Sequence, residues 1–273
     1  MKPKPLTTQL LQGPTTEYVV GERLGQTEVF SLYACTLPDG GPGILKIARQ
    51  KANNGTLDRE AFILQTLLHG VNTIDPENNF QYLCSFPVLH ENFISEEQDG
   101  RRVLILDFSK MCEQLSELTP LGHLLSREHI RVDPKTSVWI LGKQLKLLTL
   151  THMLGVTCNL TPDNVLIHRD RHYVSVFDWS SSQITTNVVD EERAQLEIKT
   201  AAQLTIAALG GDSKTGIIPA DDQYLGSETY QATLQTMVSG KTPNAMTAHE
   251  QFYAMVHKLW PSKFHPFAAY AVK

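Results

Sequence analysis

The stretch Gly155–Ser180, GVTCNLTPDNVLIHRDRHYVSVFDWS, decides the fold of this chain. Two short apolar runs, VLIH and YVSVF, are separated by the polar sequence RDRH, which predicts a tight β-hairpin with a polar turn. Asn164 precedes the first run, and Asp178 follows the second. Closing this hairpin would bring an amide and a carboxylate together, and Mg²⁺ prefers oxygen ligands of these kinds.

Before this stretch, the sequence predicts a sheet with one helix packed on it. The runs EYVVGERLG, VFSLYACTL and PGILKIARQ are broken by Gly, Pro and Asp, and SFPVLHENFISEEQDGRRVLILDF is typical of a hairpin that turns at QDG. Between them, TLDREAFILQTLLHGV carries apolar residues at helical spacing. The order strand, strand, strand, helix, strand, strand predicts an α+β layer.

From Pro134 onward the predicted character is helical. KTSVWILGKQLKLLTLTHMLG predicts a long helix ending at Gly155, and three more helical patterns follow the hairpin: DEERAQLEIKTAAQLTIAALGG, SETYQATLQTMVSG and TAHEQFYAMVHKLW. The predicted fold class is α+β with two lobes, a small β-rich N-lobe over 1–107 and a larger, mainly helical C-lobe over 108–273. The boundary falls in DFSKMCEQLSEL.

Composition and charge restrict the class of protein. The chain has 273 residues, 41% hydrophobic and 19% charged, as expected for a globular protein with a substantial core. A net charge of −5 without a basic run argues against a nucleic-acid or anionic-membrane partner. The cysteines have no CxxC spacing, and no apolar run is long enough for a signal peptide or a membrane span, so we expect free thiols and a cytoplasmic protein.

These features follow the order and spacing of protein kinases, which the chain resembles over nearly its whole length. Lys46 in ILKIA stands where kinases have their third-strand lysine, and Glu60 in LDREAF where they have the helix glutamate. Leu106 and Asp107 in LILDF resemble the gatekeeper and the first hinge residue. The helical part looks most like small bacterial kinase-like chains.

The resemblance implies a nucleotide site and a metal site. In kinases the lysine pairs with the α- and β-phosphates of ATP and the glutamate anchors the lysine. TCNLTPDN aligns without a gap to the catalytic loop HRDLxxxN, and FDWS follows where kinases have the DFG aspartate. The implied ligands of ATP are Gly25, Lys46, Glu60, Leu106 and Asp107, and those of Mg²⁺ are Asn164 and Asp178.

In the same alignment, this chain lacks the catalytic base of kinases. Asn159 replaces the aspartate that accepts the proton of the attacking hydroxyl, and an amide can orient a hydroxyl but cannot take up a proton. The loop lysine that assists transfer becomes Thr161. General-base help is typically worth about 10²–10⁴ in rate, so we expect transfer to be crippled while positioning groups remain.

The tripeptide His168-Arg169-Asp170 does not restore this base. Its letters open the kinase catalytic loop, but five residues after Asp170 stands Ser175 rather than Asn. No second metal ligand follows at the required distance. We interpret the tripeptide as the polar turn of the hairpin.

Two further motifs depart from the kinase pattern. The glycine-rich loop is reduced to GQTEVF, in which Gly25 is kept while Thr27 and Phe30 replace the second and third glycines. The grip on phosphates should therefore be looser or differently shaped. DWS replaces DFG, and Ser180 lies too close to the next helix, near Asp190, for the activation segment of a peptide-phosphorylating kinase.

Glu197 leaves two interpretations open. It stands near the start of the helix in which kinases carry an aspartate that braces the catalytic loop. A solvated position on the helix surface accounts for it equally well.

The sequence therefore predicts a pseudokinase-like regulatory or scaffold protein with an unidentified protein partner, and with ATP or a related nucleotide and Mg²⁺ as candidate ligands. An alternative is an active atypical kinase or nucleotidyl transferase, for which Asp163 is the nearest substitute carboxylate. A third is an interaction domain whose cleft is filled by Phe30 and Trp179. A small-molecule kinase of the aminoglycoside type is disfavoured, because it too needs the aspartate that Asn159 replaces.

Overall fold

The first part of the chain is a six-stranded antiparallel sheet with one long helix. The computed structural model describes residues 9–74, 76–77, 79–220, 226–261 and 265–272, so residues 1–8, 75, 78, 221–225, 262–264 and 273 of the two predicted lobes lie outside the described residues. The sheet has the order β1-β2-β3-β4-β6-β5. Its strands are β1 Gln9–Gln12, β2 Glu17–Gln26, β3 Phe30–Thr36, β4 Pro42–Ala48, β5 Val88–Ser95 and β6 Arg101–Asp107.

Turn residues set the register of this sheet. The β5–β6 hairpin turns through a short 3₁₀ helix, Glu96–Gln98, and then through Asp99 and Gly100, both with positive φ. The left-handed conformation suits Gly and tolerates Asp, which explains the QDG signal in the sequence. β3 and β4 are the central strands, and β4 is buried along almost its whole length. A lysine in the middle of β4 is therefore held inside the protein.

One long helix, α1 (Asn54–Ile74), packs against β5 and β6. Of the five positions that the helical spacing predicts, it buries Leu57, Ala61, Leu64 and Leu67, while Leu68 is half-buried against the core. A four-residue helix, α2 (Phe80–Leu83), follows.

The second part of the chain is mainly helical, as predicted. Short strands and turns lie among the helices, and the elements are β7 Leu118–Pro120, α3 His123–Ser126, β8 Ile130–Val132, α4 Pro134–Met153, β9 Val165–His168, β10 Tyr173–Val176, α5 Glu191–Ala208, α6 Ser227–Val238, α7 Ala245–Leu259 and β11 Ala269–Ala271. Three of these helices, α4, α5 and α7, begin at side-chain caps: Asp133 accepts from Thr136 N, Asp190 from Arg193 N and Asn244 from Thr247 N. The α+β, two-part architecture is confirmed.

A single apolar core joins the sheet to the helices. It runs from β4, β6 and α1 through α4 and the β9–β10 hairpin to α5, α6 and α7, while a smaller cluster covers the other face of the sheet. Gly70 of α1 lies against Leu154, where an added Cβ would stand 2.4 Å from the leucine Cδ1. This close approach favours glycine, since a larger residue would force the Leu154 side chain to move, and it links α1 to the end of α4.

The cysteines agree with the sequence prediction of free thiols. Cys35, Cys84, Cys112 and Cys158 are buried and free of disulfides. Burial raises the pKa of the Cys158 thiol well above its ordinary value, which suits a small apolar core residue rather than a nucleophile. Among the residues that the structure describes, no helix is long and apolar enough to cross a bilayer.

Candidate functional site

A buried ion triad links the sheet, the helix and the hairpin. Lys46 Nζ lies 2.7 Å from Glu60 Oε2 and 2.5 Å from Asp178 Oδ1. The side chains of Lys46 and Glu60 are completely buried, and that of Asp178 is 19% exposed. The predicted Lys46–Glu60 ion pair is therefore present, and the strand end after β10 brings a second carboxylate to the same ammonium.

The two carboxylates respond differently to burial. Burial raises the pKa of Glu60 above its ordinary value, although the charge of Lys46 opposes this effect. For Asp178, burial also disfavours the charged form, but Lys46 and the hydrogen bond from Ser180 N outweigh it and lower the pKa. Lys46 therefore favours the charged form of both carboxylates, and for Asp178 this effect outweighs burial.

Phe30 covers the ammonium of this triad. Its ring centroid lies 3.7 Å from Lys46 Nζ, and the ring itself is buried. Thr27 closes the β2–β3 turn, because its Oγ1 accepts from Val29 N and Phe30 N at 3.1 Å. The residues that replace the glycines thus build a tight turn with an aromatic ring beneath it, in the place where kinases have an open phosphate loop.

Gly25, Leu106 and Asp107 lie in the sheet. Gly25 lies within β2 opposite Leu32, and an added Cβ there would meet only a leucine methyl group, at 3.9 Å. Leu106 is fully buried in the core, and Asp107 ends β6 with its carboxylate accepting from Ser109 N at 2.7 Å. The nucleotide-binding roles of these three residues remain predictions.

Asn164 is the centre of a second hydrogen-bond network. Its Nδ2 donates to the carbonyls of Asn159 and Asp178 at 2.8 Å each, and its Oδ1 accepts from Asp178 N at 2.7 Å. The hairpin therefore brings residues 159, 164 and 178 together, as its spacing predicts. Asn159 is half-buried and joined to this network through its backbone.

The residues that would bind Mg²⁺ are engaged with one another in this conformation. The amide of Asn164 is used by the backbone, and Asp178 Oδ1 is used by Lys46 and Ser180 N. Among the residues described, no group of three or more His, Cys, Asp or Glu side chains could hold a metal ion. The metal-ligand roles of Asn164 and Asp178 stay predictions.

The His168-Arg169-Asp170 tripeptide lies at the end of β9 and in the hairpin turn. His168 pairs with Tyr173 in the β9–β10 register, and His168 Nε2 lies 3.2 Å from Glu117. Arg169 contacts both carboxylate oxygens of Glu128 at 2.5 Å. These contacts stabilise the hairpin, in agreement with its interpretation as a turn.

Glu197 is a buried brace and not a solvated helix residue. It is 3% exposed, and its Oε2 accepts from Cys158 N and lies 3.0 Å from His152 Nε2. Its Oε1 accepts from Arg193 Nε at 2.7 Å. One carboxylate thus connects α4, α5 and the loop that carries Asn159, which decides between the two interpretations of this residue.

The segment after Ser180 is fastened to the same loop. Thr157 N donates to Gln183 O at 2.9 Å, and Gln183 N donates to Thr157 Oγ1 at 2.8 Å. Thr185 N donates to Gly155 O at 2.8 Å. The short connection therefore packs on the loop instead of forming a separate platform for a peptide.

Trp179 and Asp163 bear on the alternative functions. Trp179 is fully buried in the core, where its N donates to Glu60 and its Nε1 to Val176 O. Of the two aromatic residues predicted to fill the cleft, Phe30 is therefore the one that lies over Lys46. The side chain of Asp163 is 86% exposed and lies 4.0 Å from His123, so it is poorly placed to replace a buried base.

Sequence reasoning missed the partners that orient these groups. His152, Arg193 and Gln183 carry no motif, and Thr157 is visible only as the residue that replaces the kinase histidine. The buried face of α4 is the one signal for His152, since a polar residue on an apolar face needs a partner.

The sheet, the single packed helix, the hairpin and the helical part together define a protein-kinase-like fold. No protein-family model and no curated protein matches the chain. Among solved structures, the BubR1 kinase domain is similar with a TM-score of 0.62 and 14% identity, over 92% of this chain and 83% of that one. The twitchin kinase region from C. elegans is similar with a TM-score of 0.60 and 14% identity, over 96% of this chain and 49% of that one. At this identity the likeness concerns the fold alone.

Proposed function

We propose that this chain is a pseudokinase: a kinase-fold protein that regulates or scaffolds a protein partner and does not transfer phosphate. The observation that carries the proposal is Asn159, which is joined through its carbonyl to Asn164 at the position of the missing base. Two further features support it. Phe30 covers Lys46, and Lys46 is already paired with the carboxylate that would hold the metal.

Phosphoryl transfer is expected to stay at background. Incubation with γ-labelled ATP and Mg²⁺ should label neither the chain nor a generic protein substrate, and should release no phosphate above the buffer rate. Asn159→Asp is expected to stay at background as well, because an added base cannot act while the phosphate space over Lys46 is filled. Turnover by the wild type that is lost in Asp178→Ala would instead establish the alternative, an active atypical kinase or nucleotidyl transferase.

Nucleotide binding is a second candidate function, and the ion triad favours it. Burying three charged groups is costly, and the same core could be stabilised by apolar side chains. The triad has a function if the cleft opens. Lys46 would then bind a phosphate, and Asp178 would bind a metal ion, in place of their contact with each other. A bound nucleotide would then shift the equilibrium between the closed and open forms, to the extent that it binds the open form more tightly.

Thermal unfolding tests this candidate. In the presence of ATP and Mg²⁺, we expect Phe30→Ala to show a larger rise in Tm than the wild type, since removing the ring uncovers Lys46. The matched control is Phe62→Ala, which removes an exposed aromatic ring from the outer surface of α1. Equal shifts in wild type, Phe30→Ala and Phe30→Ala/Asp178→Ala would contradict specific nucleotide binding at this cleft.

A further inference from the structure

A groove lies on the helical part where α4 ends and where α5 and α7 begin. Its volume is about 510 Å³, and its described lining comes from the end of α4, from residues 188–191 with Ala194, and from residues 243–246. The cleft residues Lys46, Glu60 and Asp178 do not belong to this lining. The α4–α5–α7 groove is therefore separate from the kinase-like cleft.

Three exposed apolar side chains line this groove. Met153 at the end of α4, Val188 in the loop before α5 and Met246 in the first turn of α7 are 45%, 66% and 47% exposed. Single exposed apolar residues are common, but three from separate segments around one groove form a patch that indicates a binding surface. Methionine side chains adapt their shape to a partner, which suits such a surface.

The same groove is acidic. Asp190 and Glu191 line it at the start of α5, and its described lining contains no lysine or arginine. The groups that donate to these carboxylates are neutral: Arg193 N donates to Asp190, and Gln195 Nε2 donates to Glu191. These contacts therefore leave both negative charges in place. Acidic residues are favoured in the first turn of any helix, so this charge alone does not define a ligand site.

A buried histidine is an independent indication of a ligand. His152 lines the groove, its side chain is 9% exposed, and its Nε2 lies 3.0 Å from Glu197 Oε2. Because that carboxylate accepts, Nε2 carries the proton, and Nδ1 of the neutral ring is an acceptor. Nδ1 is buried and has no hydrogen-bond partner among the residues described. An unpaired buried acceptor is costly, and a donor from a ligand would satisfy it.

We propose that the α4–α5–α7 groove binds a segment of the protein partner in which an arginine adjoins large apolar side chains. This inference rests on the proposed function, because it names the chemistry of that partner. A guanidinium has five N–H donors and no acceptor, so it would pair with Asp190 and Glu191 and give His152 Nδ1 the donor that it lacks. The neighbouring apolar side chains would cover the three exposed apolar residues of the groove.

The size of the groove agrees with this occupant. Ligand pockets commonly have volumes of roughly 300–1,000 Å³, so a groove of about 510 Å³ has room for more than one large side chain. Its apolar residues are exposed rather than enclosed, which favours a segment of a protein over a small molecule.

Fluorescence polarisation with short peptides tests the site in the full-length chain. The probe is the fluorescein-labelled heptapeptide Gly-Ser-Phe-Arg-Leu-Ser-Gly, for which we expect saturable binding at physiological salt. Citrulline in place of its arginine keeps the shape and removes the charge, and should weaken binding about tenfold. Alanine in place of both its phenylalanine and its leucine keeps the charge and should also weaken binding about tenfold. No binding of the probe, or equal binding of the three peptides, would overturn the proposal.

Matched variants locate the binding. Glu191→Lys and Glu228→Lys each reverse an exposed carboxylate in the first turn of a helix, but only Glu191 lines the groove. We expect Glu191→Lys to weaken binding of the probe about tenfold and Glu228→Lys to change it little. The double variant Val188→Ser/Met246→Ser should also weaken it about tenfold, whereas Leu24→Ser removes an exposed leucine from β2 and is the control. Thermal unfolding curves check that each variant folds. Wild-type affinity in both Glu191→Lys and the double variant would show that the proposal is wrong.

The result for this groove and the result for the proposed function are distinguishable. Turnover of labelled ATP would contradict the pseudokinase proposal even if the probe binds the groove, and failure of the probe to bind would contradict this inference even if no turnover is seen. Sedimentation velocity identifies a different occupant. A wild-type dimer that Val188→Ser/Met246→Ser dissociates would mean that a second copy of the chain covers the groove, and this too would overturn the proposal.

Discussion

Replacement of Lys46 by methionine is expected to lower the free energy of unfolding by about 3–5 kcal/mol. The ammonium is completely buried and contacts carboxylate oxygens of Glu60 and Asp178 at 2.7 and 2.5 Å. Methionine fills similar space but leaves both carboxylates without their counter-charge. Because Asp178 is 19% exposed, water can partly solvate it, and the loss should lie nearer the lower figure.

Urea denaturation of a set of variants measures this loss. Lys110→Met is the matched control, since Lys110 is exposed, and it should change the unfolding free energy by less than about 0.5 kcal/mol. Adding Glu60→Gln to Lys46→Met should recover part of the loss, because it removes one of the unpaired charges. A Lys46→Met variant that unfolds at the wild-type urea concentration would show that the triad does not stabilise this fold.

Glu197→Ala is expected to destabilise the chain by about 3 kcal/mol. The carboxylate is buried and accepts from Cys158 N and Arg193 Nε, and it lies 3.0 Å from His152 Nε2. Alanine would leave the Cys158 amide and the His152 ring without this acceptor inside the core. The same change should loosen the loop that carries Asn159, since the braced amide of Cys158 immediately precedes Asn159.

Hydrogen exchange and urea denaturation together test this role. We expect the amides of residues 156–160 to exchange faster in Glu197→Ala, because their loop loses its anchor on α5. Glu197→Gln keeps an acceptor oxygen and should cost less than Glu197→Ala. Glu250→Ala removes an exposed carboxylate from α7 and serves as the control. Unchanged exchange in residues 156–160 of Glu197→Ala would contradict a bracing role.

Regular elements and the contacts that follow from their spacing could be predicted from the sequence. The apolar runs, the QDG turn and the glycine at the end of α4 were sufficient for the five long strands β2 to β6, for α1, and for the helices α4 to α7. Asn164 and Asp178 meet because a hairpin of fixed register joins them. The short strands β1, β7, β8 and β11 were missed, because three or four residues give no readable alternation. β9 and β10 are equally short and could be predicted because they flank a polar turn.

The side-chain arrangement of the cleft could not be predicted in the same way. The sequence shows that Phe30 replaces a glycine, but not that its ring lies on Lys46. It shows an aspartate after β10, but not that this aspartate contacts the lysine directly. Such contacts depend on the rotamers of residues far apart in the chain, and each rotamer is selected by the packing around it.

The sequence alone determines the order of the strands and helices, the amide at position 159 and the meeting of residues 164 and 178. These features depend on local periodicity and on counting along the chain. Only the tertiary structure decided that Lys46, Glu60 and Asp178 form one buried triad, that Phe30 covers it, and that Glu197 braces the loop. The physical reason is that a charge buried in a core must find its partners through space, and the partners present at that point are set by how the sheet and the helices pack.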